Sequence, residues 1–497
     1  MLNVKKNIIT SLLCQLITII NGLVVPRLIL GSFGSEVNGL VSSISQFLNY
    51  ITLLEGGLSG VIMAALYKPL AEKDSMRVSA IINATNQFFR RIAVMFVGYM
   101  LIVATLYPLF VHTSFSWGFV ASLAVIIGIT LFIQYFFSLS LRLLINANQE
   151  GYIVYTAQII FTLINFIFTL IVINVYPEIH VLKIANVIAY CIQPIVFVAY
   201  VNKNYKLDRS IPPDKNAISQ RWDGFGQNLA FFIHTNTDVV VLTVFCTLLD
   251  VSVYSVYFMV IGSLKNLVMS ISSAVVPSIG NTLASGDSDI INDAFDTYET
   301  GINIITTFAF ACGIVLIVPF VNIYTAGIVD ANYIQPVFGI LLMIAEAIYC
   351  YRDPYVSIAY ASGKFKETSK YAYIEAISNI VISVILVIRF GLVGVAVGTF
   401  VSMCYRFIMH VIYIKKNIIN RPISKFAASF ARSAIILGIS VVLAFVVMFK
   451  LPTSYGGWIV MAMTVAGIVA LMILVVQMVF NRKQFTALVK LMLKRNR

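Results

Sequence analysis

Nine of the charged or titratable side chains inside long apolar stretches of this sequence are candidates for chemistry. An ionised group at the centre of a lone membrane helix costs about 2.5–3.5 kcal/mol on insertion scales, so such a group is expected to face protein or water. Each of these residues therefore calls for either a structural partner or a chemical role. They are Arg27, Lys265, Arg352, Arg406, Glu55, Glu346, His234, Asp238 and Asp353.

The basic members of this set indicate a site for an anion. Lys265 lies near the middle of an apolar stretch from about residue 253 to 280, too far from either end for its ammonium group to reach an interface. The planar fork of arginine suits a phosphate group, and lysine acts as a point charge. We therefore expect Lys265, Arg27, Arg352 and Arg406 to line a water-filled cationic cavity that would bind pyrophosphate.

Each basic residue also has a purely structural interpretation. Lys265 could form a buried ion pair with Glu55. Arg27 lies near the end of its apolar stretch, where a long side chain can extend to the membrane interface. Arg352 stands beside Asp353 and just before a proline, which suits a local pair at a helix kink.

The acidic residues and one histidine are candidates for coupling or for polar contacts between the halves of the chain. Asp238 and His234 are four positions apart, so on a helix they share a face and could form a proton or cation relay. Glu55 and Asp353 complete this group. Glu375 lies about five residues into its apolar stretch, which favours a position at the membrane interface.

The composition indicates which elements must position these residues. Hydrophobic residues make up 60% of the 497 residues, whereas a soluble domain has about 45–50% apolar residues. The chain is therefore expected to be a polytopic membrane protein without an appended catalytic domain. Because the apolar runs lack the alternation of barrel strands, the predicted fold is all-α. The fourteen predicted spans are 7–30, 38–66, 92–111, 117–141, 152–176, 182–201, 225–247, 253–280, 298–322, 335–362, 370–388, 393–414, 427–449 and 457–480.

The net charge of +13 is distributed unevenly between the connections. With the N-terminus inside, 27 of the 34 Lys and Arg residues fall on the cytoplasmic side and three fall outside. This bias is the positive-inside signal, and it predicts that both ends of the chain are cytoplasmic. The basic residues therefore orient the chain in a cell membrane, and no nucleic-acid partner is predicted.

The six cysteines give no sign of a metal or disulfide site. All of them lie inside predicted spans, far apart in sequence, which favours a role in helix packing. No metal and no cofactor are predicted. The residues are Cys14, Cys191, Cys246, Cys312, Cys350 and Cys404.

An internal repeat appears when the sequence is shifted by 214 positions. This offset aligns Glu36 with Asp250, Ala147 with Ala361 and Asn165 with Asn379. Two six-helix lobes in parallel orientation would give this register. The predicted organisation is a first lobe at 1–201, a cytoplasmic linker at 202–224, a second lobe at 225–414, and two further helices with a basic tail at 415–497.

Four stretches resemble the Wzx-like bacterial polysaccharide flippases of the multidrug/oligosaccharidyl-lipid/polysaccharide exporter superfamily. They are LYKPLAEKD (66–74), TDVVVLTVF (237–245), ASGKFKET (361–368) and GLVGVAVGT (391–399). The resemblance covers nearly the whole chain. It implies two six-helix lobes, with two added helices, that move undecaprenyl-pyrophosphate-linked oligosaccharide across the cytoplasmic membrane by alternating access. A polysaccharide polymerase and glycosyltransferases are the partners it suggests.

The same resemblance implies basic residues in the central cavity on the first, second and eighth helices. Arg27 and Lys265 match the first and eighth positions. The second span offers Glu55 instead, so the sequence departs from the pattern there.

Two other functions compete with a flippase. A cation-coupled drug exporter of the same superfamily would need a carboxylate-rich cavity, which Glu55 and Asp238 could supply. A membrane glycosyltransferase or polymerase would need a nucleotide–metal site, for which Asp287 and Asp289 have D-x-D spacing. These two residues lie in a short acidic loop without a nucleotide-binding domain, so we expect a transporter and not an enzyme.

Overall fold

A computed structural model describes residues 2–55, 58–214, 225–284, 288–419, 421–447, 451–486 and 488. These residues form helices and connecting turns, and no strand occurs among them. The chain divides into two compact units. Unit 1 is Met1–Phe232 with Thr247–Ser252, and unit 2 is Ile233–Cys246 with Val253–Arg497.

Unit 1 is built from eight α-helices within its described residues. A 3-10 helix, Tyr50–Glu55, follows α1, and one π-helical turn, Gln134–Ser138, joins α4 to α5. The helices are α1 (Leu2–Asn49), α2 (Leu58–Ala71), α3 (Ser75–Phe110), α4 (Trp117–Ile133), α5 (Leu139–Ala147), α6 (Gly151–Val175), α7 (Ile179–Tyr190) and α8 (Ile192–Asn204).

The core of unit 1 follows helical periodicity along its two longest helices. Leu40, Ile44 and Leu48 are fully buried at four-residue intervals on α1. On α3, Phe89 and Phe96 are buried one heptad apart. One stripe of each helix thus faces protein.

Unit 2 contains long helices, and α9 and α10 begin in unit 1. In unit 1, the side chain of Asp74 caps the N-terminus of α3. In unit 2, the buried stripe of α11 includes Phe310, Ile314 and Val321. The remaining helices are α9 (Phe225–Phe245), α10 (Leu248–Ala284), α11 (Ser288–Tyr324), α12 (Pro336–Ala361), α13 (Phe365–Asn417), α14 (Ile423–Val447) and α15 (Tyr455–Phe480).

The all-α prediction is confirmed, and ten stretches of the described chain are long and apolar enough to cross a membrane. Large apolar side chains remain exposed on them, such as Leu16 on α1 and Leu471 on α15. Lipid is the solvent that such a surface requires. The number is lower than fourteen partly because two pairs of predicted spans follow each other without a loop, so that each pair counts as one stretch.

Glycine breaks both of these merged helices without an intervening loop. The predicted connections near residues 31–37 and 389–392 are each reduced to a break in the helix at one glycine with positive φ, Gly34 (80°) and Gly391 (52°). Positive φ is accessible to glycine at little cost. Around Gly391 the chain folds back on itself, since Asn379 donates a hydrogen bond to Thr399, twenty positions later, over 3.1 Å.

The 214-residue repeat appears in the helix boundaries. Adding 214 to the ends of α3 gives 289 and 324, and α11 runs Ser288–Tyr324. The same shift carries the start of α6 to Phe365, where α13 begins, and the break at Gly34 to Leu248, where α10 begins. In unit 1, Asn38 donates a hydrogen bond to Ser252, the residue that the offset aligns with it, over 2.8 Å.

The turn after α5 and the turn after α12 have the same backbone hydrogen bonds. Each has a residue of positive φ at the equivalent position, Gln149 (58°) and Gly363 (72°). The two turns match in position as well as in bonding, since they are 214 positions apart; the same three-bond C-cap also closes α2, with Lys73 at positive φ. The three N–H to O=C pairs are 148 to 144, 149 to 146 and 150 to 145 in the first turn, and 362 to 358, 363 to 360 and 364 to 359 in the second.

Candidate functional site

Lys265 is held in a buried ion pair within unit 2. It lies near the midpoint of α10, and its Nζ is 3.1 Å from Oε2 of Glu346 on α12. The lysine side chain is 10% exposed and the glutamate side chain 2%. The partner is therefore Glu346, whereas the sequence suggested Glu55 as the structural alternative.

Arg352 and Arg406 converge on a third carboxylate. Nη1 of Arg352 on α12 donates to Oε1 of Glu375 over 2.9 Å, and Nη1 of Arg406 donates to the other oxygen of the same group. Glu375 is 1% exposed, so its carboxylate is enclosed by protein. The position at the membrane interface that the sequence favours stays a prediction. The fold of α13 at Gly391 brings Glu375 and Arg406 together, since they lie on the two halves of that helix.

The ring of Tyr349 contacts both Lys265 and Arg352. Nζ of Lys265 lies 5.1 Å from the centroid of the Tyr349 ring, and the guanidinium carbon of Arg352 lies 4.5 Å from it. Such cation–π contacts are stabilising when the cation is withdrawn from water. We call Lys265, Arg352 and Arg406 the basic cluster.

The basic cluster keeps unused hydrogen-bond donors. The Nε atoms of Arg352 and Arg406 are buried and have no hydrogen-bond partner among the described residues. A buried donor without a partner costs about 1–3 kcal/mol. Both atoms are therefore suited to contact water or an anionic oxygen.

Asp238 lies in a shell of hydroxyl groups. The carboxylate is 2% exposed and accepts hydrogen bonds of 3.0 Å from Tyr254 and from Thr399. Asn379 donates in turn to Thr399, and its own Oδ1 has no partner among the described residues. The side chain of His234, the predicted companion of Asp238, lies outside the described residues.

Asp353 does not pair with its neighbour Arg352. Its carboxylate accepts hydrogen bonds from Ser272 on α10 and, over 3.4 Å, from Tyr298 on α11. The side chains of Arg352 and Asp353 thus serve different partners, although the two residues are adjacent. The local pair that the sequence allowed is wrong.

Two predicted site residues belong to unit 1. Glu55 ends the 3-10 helix, and its carboxylate accepts hydrogen bonds from Ser59 over 3.2 Å and from Tyr135 over 3.3 Å. Arg27 is half-buried on α1, and its guanidinium lies against Gly31, one helical turn further along. The described contacts therefore place Glu55 and Arg27 in a different unit from the basic cluster.

A further ion-pair group in unit 2 was not predicted from the sequence. Nη1 of Arg421 lies 2.7 Å from Glu299 and 3.3 Å from Asp296, and its guanidinium covers the ring of Phe426. Tyr355 also donates to Glu299. Arg421 lies just before α14 and Glu299 on α11, so their separation of 122 positions gives no periodic signal.

Within the part of the chain that the structure describes, no group of three His, Cys, Asp or Glu side chains could hold a metal ion.

Comparisons with known proteins agree with the fold. The family model described as lipid II flippase MurJ matches residues 41–468. The solved structure of a lipid II flippase MurJ in an inward closed conformation has a TM-score of 0.70 and 18% identity, covering 96% of this chain and 99% of that chain. An inward-facing multidrug-resistance MATE transporter of the MOP superfamily has a TM-score of 0.66 and 13% identity, covering 80% of this chain and 95% of that chain. No curated protein sequence matched this chain.

These matches confirm the superfamily that the motifs suggested, but they do not confirm the Wzx-like branch. MurJ is a different member of the superfamily, and its model covers well over half of the sequence. MurJ-family flippases are transporters rather than enzymes. This polytopic membrane protein therefore belongs to the MurJ family of flippases.

Proposed function

We propose that this protein is a flippase that moves a polyprenyl-pyrophosphate-linked oligosaccharide across the bacterial cytoplasmic membrane by alternating access. The cargo would be a repeat unit of capsule, exopolysaccharide or O-antigen. Family membership supports a lipid-linked substrate. The motif resemblance to Wzx-like flippases supports an oligosaccharide over lipid II, the substrate in the family's description. The observation that carries the proposal is the buried basic cluster.

The chemistry of the basic cluster suits a pyrophosphate. Arg352 and Arg406 share the one carboxylate of Glu375, so positive charge exceeds negative charge among these three side chains. Their two unused Nε donors are available to phosphate oxygens. In our proposal the pyrophosphate also replaces Glu346 as the partner of Lys265. Arg27 remains a predicted member of the cationic set.

We propose in addition that Asp238 couples transport to a proton or a small cation. The hydrogen-bond partners described for its carboxylate are hydroxyl groups, and no ion pair of this residue occurs among the described residues. A buried carboxylate of this kind favours the uptake of a proton or cation. Loading and release of that charge would then bias the two states of the transport cycle.

We propose that both ends of the chain lie in the cytoplasm. The excess of Lys and Arg in alternate connections supports cytoplasmic N- and C-termini. The polysaccharide polymerase and glycosyltransferases suggested by the resemblance would act before and after the flipping step. Labelling of single introduced cysteines with a membrane-impermeant reagent tests the orientation.

A flipping assay with Lys265 variants tests the substrate. Purified protein is reconstituted with labelled polyprenyl-pyrophosphate-linked oligosaccharide, and the fraction reached by an impermeant quencher is followed over time. We expect Lys265→Ala to slow flipping at least about tenfold, the effect of losing about 1.4 kcal/mol of binding. Lys265→Arg should restore much of the rate because it keeps the charge. Lys364→Ala, which removes an exposed lysine, is the control.

Two results would contradict the proposed substrate. Equal flipping by Lys265→Ala and the wild type would remove the basic cluster from the mechanism. Faster flipping of labelled lipid II than of the oligosaccharide would assign the cargo named in the family's description to this chain.

Cation-coupled drug export is the second candidate function. The similarity to MATE transporters and the carboxylates of Glu55 and Asp238 favour it. If Lys265→Ala left surface polysaccharide unchanged in cells but lowered drug resistance, this function would replace the flippase.

A gradient assay tests the role of Asp238. We expect Asp238→Asn to abolish the acceleration of transport by an imposed proton or sodium gradient, because the neutral amide cannot exchange the coupling charge. Asp293→Asn, which alters an exposed carboxylate, should keep the full response. A response to the gradient that survives in Asp238→Asn would place coupling elsewhere.

A further inference from the structure

A cleft of about 830 Å³ lies entirely within unit 1. We propose that this cleft binds an anionic phospholipid, with the phosphate on three arginines and an acyl chain along its apolar end. We call it the arginine cleft. It is independent of the basic cluster and of the transported substrate. Its walls include Arg90, Arg91, Val94, Phe136, Phe137 and Arg209.

One face of α3 gives the arginine cleft a polar end and an apolar end. Asn83 and Gln87 are followed at helical spacing by the adjacent arginines Arg90 and Arg91. Val94 and Met95 continue the same face one turn later. An amphiphile with a charged head and a hydrocarbon tail matches this sequence of side chains along one helix.

The connection after α8 supplies the third arginine. Nδ2 of Asn83 donates hydrogen bonds to the carbonyl oxygens of Asp208 and Ile211, each over 2.9 Å. Oγ of Ser79 accepts a further bond of 3.1 Å from the backbone N–H of Asp208. These bonds fasten the segment to α3 and hold Arg209, which lies between the two bonded carbonyls, at the cleft.

The three arginines of the arginine cleft are not engaged by carboxylates of the described residues. Arg90, Arg91 and Arg209 have no ion pair with any residue in the described ranges, although Arg90 covers the ring of Phe136 at 5.1 Å. Asp208 accepts two hydrogen bonds from Ser210, which lower its pKa and occupy one of its carboxylate oxygens. Three like charges repel, and a phosphate between them would remove that repulsion.

The apolar end of the arginine cleft points to a membrane lipid as the source of the phosphate. Val94 is 65% exposed, Met95 55% and Phe137 46%, so a hydrocarbon chain can cover all three. Arg90 and Arg91 directly precede the predicted span 92–111, which puts them at the level of lipid headgroups. Basic pockets at this level between membrane helices bind anionic headgroups.

Lipid binding to the purified full-length protein tests the proposal. Phosphatidylglycerol and phosphatidylethanolamine are titrated in separate samples, and bound lipid is counted by native mass spectrometry. Each arginine replaced should weaken phosphatidylglycerol binding about fivefold, the equivalent of about 1 kcal/mol per basic residue. Arg90→Gln, Arg91→Gln and Arg209→Gln together should therefore weaken it about a hundredfold. The control with the same charge loss combines Arg77→Gln, Lys203→Gln and Lys206→Gln, which are exposed and do not line the cleft.

Retention of phosphatidylglycerol by the control but not by the cleft variant supports the site. Equal binding of both lipids to the wild type, or equal loss in both triple variants, would overturn it. Displacement of phosphatidylglycerol by an equimolar polyprenyl pyrophosphate would also overturn it, because the cleft would then belong to the transported lipid. Arg209→Gln alone keeps the test valid if the triple variant fails to fold, since Arg209 lies outside the helices. The measurement requires no transport, so its failure is separate from failure of the flippase proposal.

Discussion

The two repeats of this protein share their backbone but differ in buried charge. The turns after α5 and α12 have the same hydrogen bonds, and the boundaries of α3 and α11 differ by about 214 positions. Five buried charged residues of the second repeat nevertheless have uncharged counterparts in the first. By the same offset, Lys265 corresponds to Ile51, Arg352 to Ser138, Glu375 to Phe161, Arg406 to Ile192 and Asp238 to Val24.

This contrast distinguishes the helix framework, which both repeats have, from the buried charged side chains, which differ between them. The boundaries of α3 and α11 and the turns after α5 and α12 are kept in both repeats, so these features do not require the charges. The buried ion pairs described for Lys265, Arg352, Arg406 and Arg421 all lie in unit 2. Side chains, more than the helix framework, distinguish these positions of the two repeats.

The largest expected effect follows from removing the carboxylate that holds two arginines. Glu375→Gln leaves Arg352 and Arg406 buried without a counter-charge, and breaking a buried ion pair costs about 3–5 kcal/mol. Phe161→Leu, at the equivalent position of the first repeat, should cost less than about 1.5 kcal/mol. Thermal unfolding in detergent measures both. Equal losses would mean that the charge adds nothing to the difference between the repeats.

A smaller effect is expected at the connection before the last helix of each repeat. The second repeat reverses direction at Gly391, whereas the first uses the non-helical residues 176–178 with Pro177 at the equivalent place. Gly391→Ala should destabilise by about 1–3 kcal/mol, because its positive φ strains a side chain. Pro177→Ala should change the free energy of unfolding by less than about 1 kcal/mol. A larger loss of stability in Pro177→Ala than in Gly391→Ala would show that the connection of the first repeat contributes more to stability than that of the second.

The smallest effect concerns the shared turn. Gln149 has a positive φ that glycine adopts more easily, so Gln149→Gly should stabilise by up to about 1 kcal/mol. Gly363→Ala should destabilise by a similar amount. Chemical unfolding of the two variants gives the signs, and two changes of the same sign would show that the turns are not energetically equivalent.

Much of the fold could be predicted because membrane helices leave a strong signal in apolar run length. The repeat was visible because matched loop lengths persist when residues diverge. The sequence predicted short loops at Gly34 and Gly391, where the structure has only a break in the helix at a single glycine, because the two cases look alike in sequence.

The site was harder to predict because charges inside apolar runs identify candidates but not partners. Lys265 and Glu346 are 81 positions apart on different helices, so only packing reveals the pair. Glu375 was judged from its distance to the end of its span, which carries no information about the arginines on neighbouring helices.

The shared carboxylate of Glu375 has a consequence for how the chain enters the membrane. The helix α12 is not among the ten stretches apolar enough to cross a bilayer alone, and it carries Glu346, Arg352 and Asp353. Its arginine finds a counter-charge 23 residues later, and that carboxylate gains its second arginine 31 residues further on. During synthesis, α12 must therefore remain near the translocon or in contact with earlier helices until both halves of α13 have emerged. Biogenesis of this region thus proceeds as a three-helix unit, because its charges can leave water only together.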